Sequence, residues 1–145
     1  MKEGNLGEVI ARVVDQLCGG LPPAKTEDVT EIEAALRGDD LMTGVLGAED
    51  EALIGRVRQS LVRIATALGA GQSDFQIRSV RVAIDGAEMA SRGELLAGNA
   101  RYLPRLLPSF VFMVALPIVE QDRALELSHR AAKLIDQELG PQQES

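Results

Sequence analysis

The chain has 145 residues, of which 46% are hydrophobic and only 3% aromatic, and it carries a formal net charge of −7. This length suits one domain that buries a core without disulfides or metals, and that core must be aliphatic. The charge argues against direct binding to nucleic acid or to an anionic membrane, because both need Lys and Arg to meet phosphates.

The composition predicts an all-α protein, because good helix formers dominate and apolar residues seldom alternate with polar ones. We expect a single-domain bundle of five to seven helices over residues 1–140 and a frayed tail over 141–145. The longest apolar stretch, 110–119, is too short to cross a bilayer, which takes about 20 residues. The single cysteine and the lack of a signal-peptide pattern at the start predict a cytoplasmic location.

Three helices are predicted in the first half of the chain. The first spans Leu6–Cys18, where apolar residues recur at three- and four-residue steps. The second is capped by Thr26 and ends at Gly38, and a short turn over 39–47 follows it. The third spans Glu49–Leu68 and has carboxylates in its first turn, where the helix dipole favours them.

The longest predicted helix is Asp74–Leu96, which Ser73 opens because Ser73 and Gln76 have the spacing of a capping box. Its interior glycines, Gly86 and Gly93, each cost up to about 1 kcal/mol relative to alanine, so we expect a kink or a break. Apolar residues along it predict burial on more than one side: Phe75, Ile77, Val80, Ile84, Ala87 and Met89.

Two further helices close the chain. The segment Tyr102–Leu116 is the most apolar, and its prolines are best tolerated near a helix start. We therefore predict a turn led by Pro104, a helix that opens at Pro108, and an end or kink at Pro117. The last predicted helix, Gln121–Leu139, stops at the glycine and proline that follow it.

No catalytic motif is predicted. Glu126 and His129 have the Glu-x-x-His spacing of di-iron bundles, but His129 is the only histidine, so a second pair needs a second chain. A solvent-facing polar pair is the preferred interpretation, and a metal site across a dimer is the alternative. Cys18 has no base near it in sequence and is interpreted as an inert buried thiol. We predict no metal, no cofactor and no enzymatic activity.

A charge ladder lies along the longest helix. Asp85 and Glu88 are one turn apart, and Arg81 and Arg92 flank them at four-residue steps. Such ladders usually stabilise a solvated helix surface, which is the preferred interpretation. If the segment is buried, the same groups are candidates for binding a polar ligand.

A cluster of soft apolar residues is the strongest candidate for a binding site. Phe110, Phe112 and Met113 lie within four residues, and Met89 joins them on the preceding helix. Ordinary core is one interpretation, and a pocket wall or a subunit interface is the other. The ligand-binding residues predicted for a pocket are Phe75, Met89, Phe110 and Met113.

The last third of the chain resembles a known family. Segment 106–117 reads Leu-Leu-Pro-Ser-Phe-Val-Phe-Met-Val-Ala-Leu-Pro, and Ala124-Leu125-Glu126-Leu127-Ser128 and a closing amphipathic helix follow it. This resembles the end of the ligand-binding domain of TetR-type transcriptional regulators. The resemblance implies that two C-terminal helices form the four-helix interface of a homodimer. It also implies that the helices before them enclose a small, mostly apolar effector.

The family's amino-terminal helix-turn-helix is not found, so the resemblance implies an effector or dimerisation domain without its DNA reader. The interface residues predicted for the homodimer are Phe112, Leu127, Ala131 and Leu134.

Two functional hypotheses follow from the sequence. The first is a non-catalytic, homodimeric domain that binds a small, mostly apolar molecule. The second is an adaptor or structural protein that binds another protein through the apolar segment 102–119. An enclosed cavity of about 300 Å³ or more favours the first. A packed interior with an exposed apolar patch favours the second.

Overall fold

The computed structural model describes residues 6–21, 34, 36, 46–70 and 73–140. This part of the chain is helical and contains no strand, which confirms the all-α prediction. The helices are α1 (Leu6–Gly19), α2 (Ala48–Ala67), α3 (Asp74–Leu96), α4 (Leu103–Ala115) and α5 (Gln121–Leu139), with a 3₁₀ turn at Ala100–Tyr102. The predicted second helix, the turn after it and the tail lie outside the described residues, apart from residues 34, 36, 46 and 47.

Helix α4 occupies the centre of the bundle. It packs against all four other helices, whereas α1 packs mainly on α2 and α5, and α3 packs on α2 and α4. The buried aliphatic side chains of all five helices form one contiguous core, to which Leu36 also belongs. No helix in the described part of the chain is both long enough and apolar enough to span a membrane.

Pro108 lies inside α4, so the prediction that it opens a helix is wrong. The helix begins at Leu103, carries Pro104 in its first turn and continues through Pro108. A proline at this position removes one backbone hydrogen bond and costs about 3 kcal/mol or more in a helix interior. The helix continues because its next residues are buried in the core, which offsets this cost. The Ser128 hydroxyl of α5 donates a 2.9 Å hydrogen bond to the Pro108 carbonyl and so connects the two helices.

Helix α3 is continuous through Gly86 and Gly93, so the expected break is absent. A Cβ at either glycine would meet no atom within 4 Å, so no contact within the described chain requires glycine there. The Ser73 side chain accepts a 3.1 Å hydrogen bond from the Gln76 backbone, which confirms the predicted cap. Burial on more than one side is wrong, because Phe75 is exposed to solvent.

Helices α4 and α5 form an antiparallel pair at the heart of the core. Arg105, near the start of α4, donates to Asp136 at 2.6 Å and to the Gly140 carbonyl at 2.7 Å, both at the end of α5. Leu127 and Ala131 on α5 have no exposed surface. These two residues, predicted to lie in a subunit interface, therefore pack inside the monomer.

Replacing Leu127 with alanine tests this placement. Leu127→Ala should lower the free energy of unfolding by about 2–5 kcal/mol, because it leaves a cavity in a close-packed core. The matched control is Leu125→Ala on the same helix, where 39% of the side chain is exposed. That change should cost no more than about 0.5 kcal/mol. Urea denaturation followed by circular dichroism measures both, and equal small losses would contradict the assignment of Leu127 to the core.

Candidate functional site

Four large apolar side chains project into solvent from α3. Phe75 is 73% exposed, Val82 70%, and Met89 and Leu96 62% each. They are spaced by seven residues, which is about two turns of an α-helix, so they lie on one face. We call these four residues the outer row.

Small residues alternate with the outer row along the same face. Ser79, Gly86 and Gly93 are also seven residues apart and stand three or four residues from their large neighbours. We call these three residues the small row. Together the two rows make an uncharged stripe with the spacing of a coiled-coil seam, in which bulky and minimal side chains alternate.

The opposite face of α3 points into the bundle and carries charged groups. Glu88 and Arg92 are buried there beside aliphatic neighbours such as Val80 and Ile84. Because ionised groups are costly to remove from water, each needs a close partner of opposite charge. Those partners come from α2, where Glu51 and Arg58 face α3.

The resulting ion network joins α2 and α3 through two arginines and three carboxylates. Arg58 Nη1 lies 2.7 Å from Asp85 Oδ1 and 3.5 Å from Glu88 Oε1. Arg92 Nη1 donates to Glu51 Oε2 at 2.8 Å, and its Nε lies 3.5 Å from Glu88 Oε2. Three members of the predicted ladder, Asp85, Glu88 and Arg92, thus belong to a largely buried interhelical network instead of a solvated helix surface.

The network also holds two backbone groups of the segment between α1 and α2. Arg58 Nη2 donates a 3.0 Å hydrogen bond to the Leu36 carbonyl, and the Leu46 amide donates to Glu51 Oε2 at 3.3 Å. The hydrogen bond from Arg92 is the main cause that lowers the pKa of the Glu51 carboxyl. Glu51 therefore stays ionised in the folded chain at pH values where an unpaired glutamate takes up a proton.

The residues predicted to bind a ligand are not brought together. Phe75, Met89 and Met113 are exposed, whereas Phe110 is buried in the core. Phe75 and Met89 are fourteen residues apart on one helix, a distance of about 21 Å along its axis, so they cannot enclose one small molecule. Binding of a small apolar ligand stays a prediction.

The predicted interface residues are also divided between two environments. Phe112 and Leu134 are half-buried and pack against the core, while Leu127 and Ala131 are completely buried within it. The homodimer stays a prediction, but the fully buried pair has no surface to offer a second copy. Sequence reasoning missed Val82 and Leu96, although their seven-residue spacing from Phe75 and Met89 is visible in the sequence.

A groove of about 370 Å³ lies where the first turns of α1 and α2 meet the 3₁₀ turn. It contains three carboxylates and one guanidinium, and none of the predicted ligand-binding residues belongs to it. Its lining consists of Leu6, Gly7, Glu8, Glu49, Asp50, Ala52, Leu53, Arg56 and Ala100. This mixed, charged lining is unlike a pocket for an apolar effector.

The sequence offered two other candidates for chemistry, the Glu126–His129 pair and Cys18. Glu126 and His129 are both exposed on α5, and Glu126 pairs with Arg123 at 2.8 Å. Within the described residues, no group of three or more His, Cys, Asp or Glu side chains could hold a metal ion. Burial raises the pKa of the half-buried Cys18 thiol, which disfavours the reactive thiolate.

Comparison with known protein families, with curated proteins and with solved structures finds no match to this chain. The resemblance of its last third to TetR-type regulators therefore stays a prediction. The outer row of α3 is therefore the candidate functional surface, and the ion network holds the inner side of the same helix.

Removing one arginine from the network should destabilise the fold strongly. Arg92→Met keeps the length of the side chain but leaves Glu88 and Glu51 without their shared cation, and we expect a loss of about 3 kcal/mol. The control, Arg123→Met, breaks a solvent-exposed pair with Glu126 and should cost no more than about 0.5 kcal/mol. Chemical denaturation measures both; similar losses for the two variants would show that the network does not hold α3.

The Glu51 carboxyl should make the free energy of unfolding depend on pH. Because its pKa is lower in the folded chain than the ordinary value of 4.5, its contribution is present above that value and is lost as the pH falls further. Glu51→Gln should therefore show a shallower loss of unfolding free energy than the wild type as the pH falls below 4.5. Glu49→Gln changes an exposed neighbour outside the network and should retain the wild-type dependence of the unfolding free energy on pH. A dependence in Glu51→Gln as steep as that of the wild type would contradict the assignment of Glu51 to the network.

Proposed function

We propose that this chain is a non-catalytic helical interaction domain that binds another protein molecule through the outer row of α3. The observation that carries the proposal is the exposure of four large apolar side chains in one line on a small domain. Isolated apolar side chains are common on protein surfaces, but contiguous apolar patches mark interaction sites.

The size of the patch supports this function. At exposures of 62 to 73%, each side chain of the outer row presents on the order of 100 Å² to water. Covering a row of this size stabilises a complex, because burial contributes roughly 25 cal/mol for each Å² of apolar surface. A partner helix laid along the row would contact every member, since the row follows the axis of α3.

The adaptor hypothesis placed the binding surface on segment 102–119, but seven residues of that segment are buried and several others pack against the core. Leu107, Val111 and Val114 are buried, while Met113 and Leu116 remain exposed. These two lie toward the end of α4, which adjoins the start of α3 where Gln76 Nε2 donates to the Pro117 carbonyl at 3.3 Å. The proposed surface is therefore centred on α3, and the end of α4 borders it.

The ion network supports the proposal by holding α3 in place. Arg58 and Arg92 connect its inner side to α2 through several charged contacts. A helix fixed in this way presents its outer row without a further ordering cost on binding, and such preorganisation favours affinity.

Site-directed photo-crosslinking in the cells that make the protein tests this function. A benzophenone-bearing amino acid in place of Val82 should form covalent adducts with polypeptide, because Val82 sits in the middle of the outer row. The same amino acid in place of Gln137, which is exposed on α5, should not. Adducts with a second copy or with a different protein both support the proposal. No adduct at position 82, or equal yields at both positions, would refute it.

A further inference from the structure

We propose that the molecule bound by the outer row is a second copy of this chain, and that the two α3 helices pair in antiparallel fashion with large residues packed over small ones. This inference rests on the proposed function and adds to it the partner and the geometry. The outer row alternates with the small row, and no packing contact among the described residues accounts for this alternation.

The glycines of α3 are the unexplained feature of the monomer. Gly86 and Gly93 lie in the interior of a 23-residue helix, where glycine is among the least favourable residues. A side chain at either position would meet nothing within 4 Å in the described part of the chain. Small residues on a helix face allow a second helix to approach closely, and no helix in the described part of the chain does so here.

The sequence of α3 is self-complementary in more than one antiparallel register. In one of them, two copies run in opposite directions with Gly86 opposite the second copy's Met89, three large–small pairs form on each copy, and Phe75 lies beyond the overlap of the two helices. Gly93 then lies opposite Val82 of the second copy, and Ser79 lies opposite its Leu96. Val82, Met89 and Leu96 each enter a space left by a small residue, as knobs enter holes in a coiled coil.

A parallel arrangement lacks this complementarity. It would place each large residue against its own equivalent and each glycine against a glycine, which leaves bulky contacts alternating with gaps. Filling space without voids favours the antiparallel register, because gaps forfeit dispersion contacts and large–large contacts force the helices apart.

The area available suits a weak, reversible dimer. In this register residues 79–96 of the two helices overlap, so the copies contact one another over about 27 Å. With on the order of 100 Å² exposed on each of Val82, Met89 and Leu96, and further area from the small row, pairing buries about 800 Å² over both copies. Stable interfaces bury about 1,200–2,000 Å², so this area predicts a dimer that forms only at high protein concentration.

Opposite effects on folding and on association test the role of Gly86. Gly86→Leu should leave the monomer at least as stable as the wild type, because the position is open and leucine favours helix. The same change fills the space that Met89 of the second copy needs, and should weaken dimerisation at least about tenfold. Gly55→Leu on α2 is the matched control, because it is equally open but lies outside the stripe, and it should leave the dimer unchanged.

Sedimentation velocity of the purified full chain, at concentrations up to about 100 µM, measures the association. The wild type should show concentration-dependent dimers, and Met89→Glu should be monomeric with an unchanged circular dichroism spectrum. A wild-type chain that stays monomeric throughout would overturn the inference, as would a Gly86→Leu chain that dimerises as well as the wild type.

Disulfide trapping decides the orientation of the helices. In a Cys18→Ser background, Val82→Cys chains alone and Gly93→Cys chains alone should not cross-link, since antiparallel pairing separates the identical positions. An equimolar mixture should form a disulfide between the two kinds of chain. Cross-linking of each variant with itself would show parallel pairing and overturn the proposed geometry.

Failure of this inference differs from failure of the proposed function. A monomeric chain whose position 82 still cross-links to a different protein in cells would retain the interaction function and lose the second copy as partner. A monomeric chain without adducts at position 82 would remove both.

Discussion

Helix α4 has to be covered on nearly every side, and this requirement arranges the other four helices around it. Most of its residues are aliphatic or aromatic, and seven of them are buried: Leu103, Pro104, Leu107, Phe110, Val111, Val114 and Ala115. Each large aliphatic side chain among them contributes roughly 1.5–3 kcal/mol when it leaves water. That gain exceeds the cost of a proline in the helix interior, which explains why α4 continues through Pro108 instead of beginning there.

Helix α3 departs from the usual distribution of polar and apolar residues. Its inner side combines an aliphatic strip with the buried charges of Glu88 and Arg92, whereas its outer side exposes an uncharged apolar row. Buried ion pairs contribute little net stability, because desolvation offsets most of their attraction. Their value here is geometric: they fix α3 against α2 and determine which of its faces remains in water.

This arrangement links the fold to the proposed function. A helix that used all its apolar residues in the core would leave no surface for association. Because charged groups occupy part of the inner side of α3, residues such as Val82 and Met89 remain outside, in line with the glycines beside them. Association through that stripe would cover the apolar surface that the monomer leaves exposed. The packing of α3 within the chain would then determine which surface is available for packing between chains.

The helices themselves were largely predictable from local sequence signals. The observed bounds of α1, α2, α3 and α5 agree with the predicted ones to within one residue at each end, because caps, glycine stops and three-to-four-residue periodicity act locally. The start of α4 was misplaced, because its prolines favour a boundary locally and only the surrounding core overrides that preference. The paired capping residues Ser73 and Gln76 were correct for the same local reason.

The sequence by itself determined the all-α class, most helix bounds and the aliphatic nature of the core. It did not determine which side of α3 faces inward, since both Val80 with Ile84 and Phe75 with Met89 give it an apolar side. Only the tertiary structure decided this, because α2 supplies Arg58 and Glu51 to pair with the charges on one side and supplies nothing for the other. Pairing between distant residues fixes the orientation of the helix, and no local periodicity contains that information.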